Sequence, residues 1–334
     1  MVNDLIGNRG NIDHHSLKIV TFNVLPLSVH TGLISWLDDS ETLSQCIRNY
    51  REKFGIFYDC EKRLVEHYHC KYDNLSKMKK LEIYRYVAKH TKAEDLKKIL
   101  WLRNTSAETW LVQRTNYINS LAVMSMVGYI LGLGDRHLSN LMLQKKTGKI
   151  VHIDFGDCFE TASKRDKLPE KIPFRLTRVL VNAMEAFGIK GTFKTTCENV
   201  MNLLRNNRES LIGILEEFIR DPLITWRMLV EAKISDDKSK KNDSRKKTSD
   251  LKIIESLIDL KQIDSDQNHS FIVEGAVEME IKQKNAKKKK NLNINVAISA
   301  IERIKKKLSG KEFDENQSKN FKEQVEELLM QATS

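Results

Sequence analysis

Cysteine, proline and long apolar runs are scarce in this chain, and each scarcity excludes a class of protein. The 334 residues include five cysteines and four prolines. An odd, scattered set of cysteines gives no paired disulfide framework and is typical of a reducing compartment. The longest mostly apolar run, Leu121 to Leu133, is too short to span a bilayer and is interrupted by a serine and two glycines. The sequence therefore predicts neither a disulfide-stabilised secreted protein nor a membrane-spanning one.

The first ten residues, MVNDLIGNRG, lack the basic start and long apolar stretch of a signal peptide. We therefore expect a cytoplasmic protein, with the surface of endomembranes and the nucleus as alternatives. A zinc site formed by Cys60, His67, His69 and Cys70 is not favoured. Their spacing fits no common zinc finger, and both ends fall on one predicted helix.

The basic surplus, a formal net charge of +11, is concentrated in two segments. Residues 233–250 carry many charges of both signs, and residues 282–290 hold six lysines and no acid. Neither contains an aromatic residue, so the stacking surface of a single-strand nucleic-acid binder is missing. We expect a charged, disordered linker over residues 233–290 and no nucleic-acid partner. A nuclear-localisation role for Lys287 to Lys290 is the less favoured alternative.

Apolar periodicity predicts a short strand-rich region followed by a long helical one. Residues 17–28 predict a strand and turn that end at Pro26, and residues 31–37 predict a second short strand or a connector. Apolar side chains recur at helical spacing from residue 42 to 102, and residues 106–133 predict one long buried helix. Later helices are predicted around residues 176–184, 200–219, 292–308 (ended by Gly310) and 321–330. The fold class is therefore α+β.

Three polar residues stand out around a predicted hairpin. Asp135 lies in a loop, Asn140 follows five residues later, and Asp154 comes after a further fourteen. Two apolar runs, 141–143 and 150–153, are joined by a polar turn containing Gly148, which predicts a β-hairpin. Because a hairpin returns its ends to one place, Asn140 and Asp154 should lie together with Asp135 behind them. Two oxygen ligands beside a potential base suit a magnesium–nucleotide site.

Each of these residues also has a purely structural interpretation. Asp135 could cap a turn, Asn140 could form an Asx-turn, and Asp154 could end a strand. A dinucleotide-binding interpretation of Gly132-Leu133-Gly134 fails, because no third glycine follows at the required offset and a helix precedes the motif.

The loop order Asp-Arg-His, in GLGDRHLSNLML followed by HIDFGDCFE, resembles the phosphoinositide-3-kinase-related protein kinases. Within that family the likeness is nearest to the target-of-rapamycin branch. Residues 169–185, 196–228 and 320–334 are similar to it in the same order, so only residues 233–290 stand largely outside. The resemblance implies a protein-kinase-like fold of the PI3/PI4-kinase type, with a truncated strand-rich N lobe and a large, mainly helical C lobe.

The resemblance also implies a division of the chain. Residues 1–40 correspond to a remnant of the N lobe with its hinge, and 41–232 to the C lobe, with a helical insert at about 52–100. After the linker come a C-terminal helix of the kinase region (291–317) and part of a FATC segment (318–334). The Gly-rich loop and ATP-binding lysine of kinases have no counterpart here, so we expect a fragment of a longer kinase.

Family positions give the expected site. Asp135 and His137 would be catalytic, the first orienting the substrate hydroxyl and the second stabilising charge on the transferred phosphate. Asn140 and Asp154 would hold the Mg²⁺ or Mn²⁺ of ATP. Arg136 would either brace the loop through a salt bridge or contact phosphate, and residues 154–177 would be the activation loop. Seven apolar positions would line the adenine slot: Phe22, Leu25, Ile34, Trp36, Leu37, Met142 and Ile153.

The function implied is a serine/threonine protein kinase that transfers the ATP γ-phosphate to protein hydroxyls in growth and nutrient signalling. A phosphoinositide lipid kinase is less favoured. Those usually place a histidine after Asp-Phe-Gly and carry a more basic loop, whereas Asp157 follows here and the loop mixes signs. The third interpretation is a non-catalytic module, because residues 52–100 resemble the insert that docks a small WD-repeat propeller.

Overall fold

The computed structural model describes residues 1–7, 17–28, 31–68, 75–165, 169–219, 298–314 and 317–333. These residues belong to two compact units. The first comprises residues 1–163, 169–209 and 304–334, and the second comprises residues 164–168 and 210–303. All site residues discussed below lie in the first unit. The predicted linker at 233–290 and the start of the predicted helix at 292–297 lie outside the described residues, and the domain boundaries stay a prediction.

Two small antiparallel sheets lie within the described residues. Strands β1 (Val24–Pro26) and β2 (Gly32–Ile34) pair with each other, with Leu25 opposite Leu33. Strands β3 (Ser40–Thr42), β4 (Leu141–Gln144) and β5 (Ile150–His152) form a second sheet in the order β3-β4-β5. The hairpin predicted around Gly148 is confirmed, and the two strands predicted before residue 38 are also present and pair with each other. Strand β3 was not predicted, because its three polar residues carry no apolar alternation and its pairing with β4 is long-range.

Helices form most of the described chain. In chain order they are α1 (Val2–Gly7), α2 (Leu43–Lys53), α3 (Cys60–Tyr68), α4 (Lys77–His90), α5 (Asp95–Leu102), α6 (Ala107–Leu131), α7 (Arg178–Asn182), α8 (Thr192–Asn206), α9 (Arg208–Ile219), α10 (residues 298–309) and α11 (Phe321–Thr333). Two 3₁₀ segments cover Ala162–Lys164 and Glu185–Lys190. No helix within the described ranges is long and apolar enough to cross a membrane.

Helix α6 is the centre of the first unit. It begins after Ser106, whose side chain accepts the backbone N–H of Thr109 at 3.2 Å. It ends at Gly132, which adopts φ 61°, a conformation that glycine takes without a steric cost. Every residue from Tyr117 to Ile130 is buried. A helix that is apolar on all sides belongs inside a core, which confirms the predicted buried helix for its C-terminal half.

Helix α6 also supports the β4–β5 hairpin. The Ser120 hydroxyl accepts the backbone N–H of Ile150 at 2.8 Å, and the Asn116 amide donates to the Thr147 carbonyl at 3.0 Å. At the turn, Gly148 has φ 73°, and a Cβ there would lie 2.6 Å from the Gln113 carbonyl oxygen. The hairpin is therefore seated on α6 along its length, which fixes where its two open ends lie.

Candidate active site

The open end of the β4–β5 hairpin brings the three polar residues together. Leu141 pairs with His152, and the next residues outward are joined by a 3.1 Å hydrogen bond from the Ile153 N–H to the Asn140 carbonyl. The Asn140 amide nitrogen donates to the Asp135 carbonyl at 2.9 Å. The predicted closeness of Asp135, Asn140 and the Asp154 segment is therefore confirmed as geometry.

Arg136 ties the two loops to each other. Its guanidinium donates to the Gly134 carbonyl at 2.8 Å, to the Ile153 carbonyl at 2.7 Å and to the Asp154 carbonyl. The side chain is buried, and burial lowers its pKa, with the Asp154 and Asp135 carboxylates opposing that effect. Arg136 therefore braces the loop, as one interpretation of the sequence expected. It does so by holding backbone carbonyls.

Both acids are held in a left-handed backbone conformation, with φ 56° at Asp135 and at Asp154. Such a conformation is uncommon for a non-glycine residue and persists only where the surroundings impose it. At Asp135 the backbone N–H donates to a carboxylate oxygen of Glu170 at 3.0 Å. At Asp154 the carboxylate Oδ1 accepts the Gly156 N–H at 3.1 Å.

A short ladder of backbone hydrogen bonds runs beside the two acids. The Gly134 N–H donates to the Asp157 carbonyl at 2.8 Å, the Phe159 N–H to Leu131 at 2.7 Å, and the Glu160 N–H to Gly132 at 2.9 Å. Phe159 and Glu160 are also left-handed, at φ 62° and 63°. A Cβ on Gly132 would lie 2.6 Å from the Glu160 nitrogen, so the two segments approach at backbone distance.

Histidines take two different positions around the hairpin. His137 is exposed, and its Nδ1 accepts the Ser139 N–H at 3.2 Å, which leaves the ring proton on Nε2 in the neutral form. His152 is the last residue of β5 and its ring is buried, and this burial, with a smaller contribution from Arg136, lowers its pKa to about 3. His137 can thus offer a donor to solvent or ligand, while His152 is an uncharged part of the support.

The donor set suits a hard divalent cation. Since the amide nitrogen of Asn140 is engaged, its oxygen is the atom available for ligation, and Asp154 adds an exposed carboxylate. Mg²⁺ takes few protein ligands in nucleotide sites and obtains others from phosphate and water. Within the described ranges no cluster of three or more His, Cys, Asp or Glu side chains could hold a metal alone. Of the rejected zinc set, His69 and Cys70 lie outside those ranges.

The seven predicted adenine-slot residues fall on two sheets. Five lie on or beside the β1–β2 hairpin, where Trp36 is 85% exposed and Ile34 is 68% exposed. Met142 on β4 and Ile153 after β5 are half-buried. Their role in binding adenine stays a prediction.

Sequence reasoning missed Glu170 as a partner of Asp135. The contact joins residues 35 positions apart and uses a backbone N–H. No local sequence pattern therefore indicates it. The only available signal was an acidic side chain within a loop already assigned to the activation segment.

The fold and the site define the class of this protein: two acids and an amide at the open end of a hairpin, on a mainly helical lobe, are the arrangement expected of a kinase. Comparison with known families agrees with this class. Residues 1–228 match the family model described as "Phosphatidylinositol 3- and 4-kinase". The chain belongs to that family, which confirms the predicted fold class.

Individual relatives sharpen the assignment. The chain is 42% identical, over its whole length, to serine/threonine-protein kinase tor1 of Schizosaccharomyces pombe, and it covers 14% of that protein. It is 51% identical over 68% of its length to serine/threonine-protein kinase TOR of Oryza sativa, covering 9% of it. A solved structure described as "Tel1 kinase butterfly symmetric dimer" matches the whole chain with TM-score 0.69 and 25% identity, over 12% of that chain. The chain thus spans a small part of the length of the relatives it matches, and the fission-yeast TOR kinase is similar to it over its whole length.

Proposed function

We propose that this chain carries the metal-and-base portion of a TOR-type serine/threonine protein kinase acting in growth and nutrient signalling. The reaction is transfer of the ATP γ-phosphate to a protein hydroxyl. One observation carries the proposal: Asp135, Asn140 and Asp154 meet at the open end of one hairpin and are tied together through Arg136. The full-length similarity to TOR kinases supports the same reaction.

The residues have separate roles in that reaction. Asp135 orients the substrate hydroxyl and accepts its proton, with its backbone fixed by Glu170 and Asn140. His137, exposed and carrying its proton on Nε2, donates toward the transferring phosphate. Asn140 and Asp154 would hold Mg²⁺ or Mn²⁺, which would supply neutralisation of charge on the phosphates of ATP. The seven apolar positions around β1, β2 and β4 receive the adenine ring.

The test is phosphotransfer by the 334-residue chain with labelled ATP, offered a protein substrate and, in parallel, phosphoinositide vesicles. We expect the wild-type chain to transfer the labelled phosphate to the protein substrate and the Asp154→Ala variant to lose this activity. The matched control is Asp59→Ala, which removes an exposed carboxylate paired with Arg63 on the surface at 2.8 Å and should leave transfer unchanged.

Label on the lipid would favour the lipid-kinase alternative. If neither the wild type nor Asp154→Ala transfers phosphate, and the protein binds no nucleotide, the catalytic proposal for this chain is contradicted. The sequence argues against the lipid reaction, because Asp157 rather than a histidine follows Asp-Phe-Gly. In the structure Asp157 is buried, and its carbonyl accepts the Gly134 N–H.

We also propose a WD-repeat propeller as partner of the insert at residues 52–100. In support, the segment between α2 and α3 exposes large apolar side chains: Phe54 is 50% exposed, Ile56 41% and Phe57 63%. Exposed apolar patches of this kind are typical of protein interfaces. A pull-down with the propeller should weaken in Phe57→Ser, whereas Met78→Ser, at a 77% exposed position on α4, maps the extent of the surface. Unchanged capture by both variants would contradict this partner.

We propose that the protein acts in the cytoplasm, with endomembrane surfaces and the nucleus as alternatives.

A further inference from the structure

A buried lysine from the C-terminal part of the chain contacts the segment that follows Asp154. Lys307, on α10, is 4% exposed. Its Nζ lies 2.6 Å from a carboxylate oxygen of Glu160 and donates to the Tyr129 carbonyl at 2.9 Å. It also lies 4.8 Å from the centre of the Tyr129 ring. Three separate interactions therefore converge on one ammonium group.

Both partners of Lys307 lie where the catalytic segments meet. Tyr129 belongs to the last turn of α6, where the helix dipole favours a cation, and its carbonyl accepts the Gly132 N–H at 3.1 Å in addition to the Lys307 ammonium. Glu160 is the last residue of the ladder that joins residues 131–134 to 157–160. At its Gly134–Asp157 end the ladder leads forward into Asp135 along one segment and back to Asp154 along the other. The lysine thus closes the ladder at the end remote from the acids.

The conformation of Glu160 explains why a clamp is needed. Glu160 and Phe159 are consecutive left-handed residues without the conformational freedom of glycine. Residues in such conformations are retained only where other contacts over-determine them. The ion pair with Lys307, largely removed from solvent, is such a contact, because losing either charge would leave the other buried without its partner.

We propose that Lys307 is a positioning residue: from α10 it holds Glu160 against the end of α6 and thereby fixes the segment that carries Asp154. The C-terminal part of the chain is then a support of the candidate metal site. The kinetic consequence rests on the proposed function, whereas the structural consequence does not.

The structural test is amide hydrogen exchange on the 334-residue chain. Lys307→Met keeps the length of the side chain and removes the charge. We expect protection of the Gly134, Phe159 and Glu160 amides to fall about tenfold, because a charge-assisted hydrogen bond is lost. Lys194→Met is the matched control, since Lys194 also reaches a C-terminal element, Glu326 on α11 at 3.3 Å, without touching the ladder. It should leave those three amides protected.

The kinetic test separates positioning from general stability. Lys307→Met should raise the half-saturating Mg²⁺ concentration for phosphotransfer about tenfold, as losses of outer-shell support do. A variant that is only less folded would lose kcat at an unchanged Mg²⁺ requirement. The exchanged pair Lys307→Glu with Glu160→Lys should recover part of the loss.

Unchanged protection of the three amides in Lys307→Met, or a rise in exchange spread evenly over the chain, would overturn the proposal. If Lys307→Met does not fold, Glu160→Gln tests the same contact from the other side with little change of shape. A wild-type chain without phosphotransfer would contradict the proposed function alone, and hydrogen exchange would still decide the role of Lys307.

Discussion

The two hairpins in the described part of the chain both carry apolar residues in their strands, but their surroundings are very different. In β1–β2, Leu25 is 59% exposed and Leu33 is 56% exposed. In β4–β5, Leu141, Leu143 and Ile150 are each at most 2% exposed. The second hairpin also forms hydrogen bonds with α6 and pairs with a third strand, β3. Two apolar strands suffice to form a hairpin, but a supporting layer is needed to hold functional groups at fixed positions.

The largest expected difference between the hairpins is in stability. Leu143→Ala, in the buried strand β4, should lower the free energy of unfolding by about 2–5 kcal/mol, because it removes packed atoms and leaves a cavity. Leu33→Ala, in β2, should change it by no more than about 0.5 kcal/mol, since its side chain is mostly in solvent. Urea unfolding of both variants measures the difference. Equal losses would show that β1–β2 is as firmly supported as β4–β5.

The contact between the end of α6 and the Glu160 segment gives a second comparison. Gly132 and Gly55 have nearly the same φ, 61° and 65°, but a Cβ would meet the Glu160 nitrogen at 2.6 Å only at Gly132, and nothing within 4 Å at Gly55. Alanine at either position carries the same backbone strain. Gly132→Ala should cost about 1–3 kcal/mol more, because it forces two backbone segments apart. Matching losses in thermal or urea unfolding would contradict this close approach.

Glu170 tests how far the fixed geometry of Asp135 matters for turnover. Glu170→Ala removes the acceptor of the Asp135 N–H and should lower kcat about tenfold, as a small displacement of a catalytic group does. Glu170→Gln keeps an oxygen at that place and should retain most of the activity. If the glutamine variant loses as much as alanine, the charge of Glu170 acts directly and its hydrogen bond is secondary.

The smallest expected change in stability concerns Glu41 on β3, which forms ion pairs with Arg103 and Lys145. Burial raises the pKa of Glu41, but hydrogen bonds and ion pairs with Lys145 and Arg103 outweigh it and hold that pKa below its usual range. Stability from this group is therefore present at neutral pH and lost as pH falls below about 4.5. Glu41→Gln should cost about 1 kcal/mol at pH 7 and less at pH 3, as followed by urea unfolding. The exposed pair of Lys62 and Glu66, 3.7 Å apart, provides the control Glu66→Gln, which should have almost no effect at either pH.

Local signals in the sequence predicted a large part of this structure. Helix α6 begins after Ser106 and ends at Gly132, and the β4–β5 hairpin is marked by the apolar runs on either side of Gly148. These features could be predicted because caps and turns depend on neighbouring residues alone. The closeness of Asn140 to Asp154 followed from the hairpin. The contacts of Glu41, Glu170 and Lys307 could not be predicted, since each joins residues far apart in the chain and depends on how packed elements meet. Trp36 is 85% exposed in this structure, and its place in the adenine slot stays a prediction.

In the proposed function, the open end of the β4–β5 hairpin binds the divalent cation of a nucleotide. The sharpest test adds trace Mn²⁺ with a non-hydrolysable ATP analogue and follows paramagnetic broadening of the backbone amide resonances. The amides around Asp135, Asn140 and Asp154 should broaden first, and Asp154→Ala should abolish the effect. Broadening centred elsewhere, or the same broadening in Asp154→Ala, would contradict it.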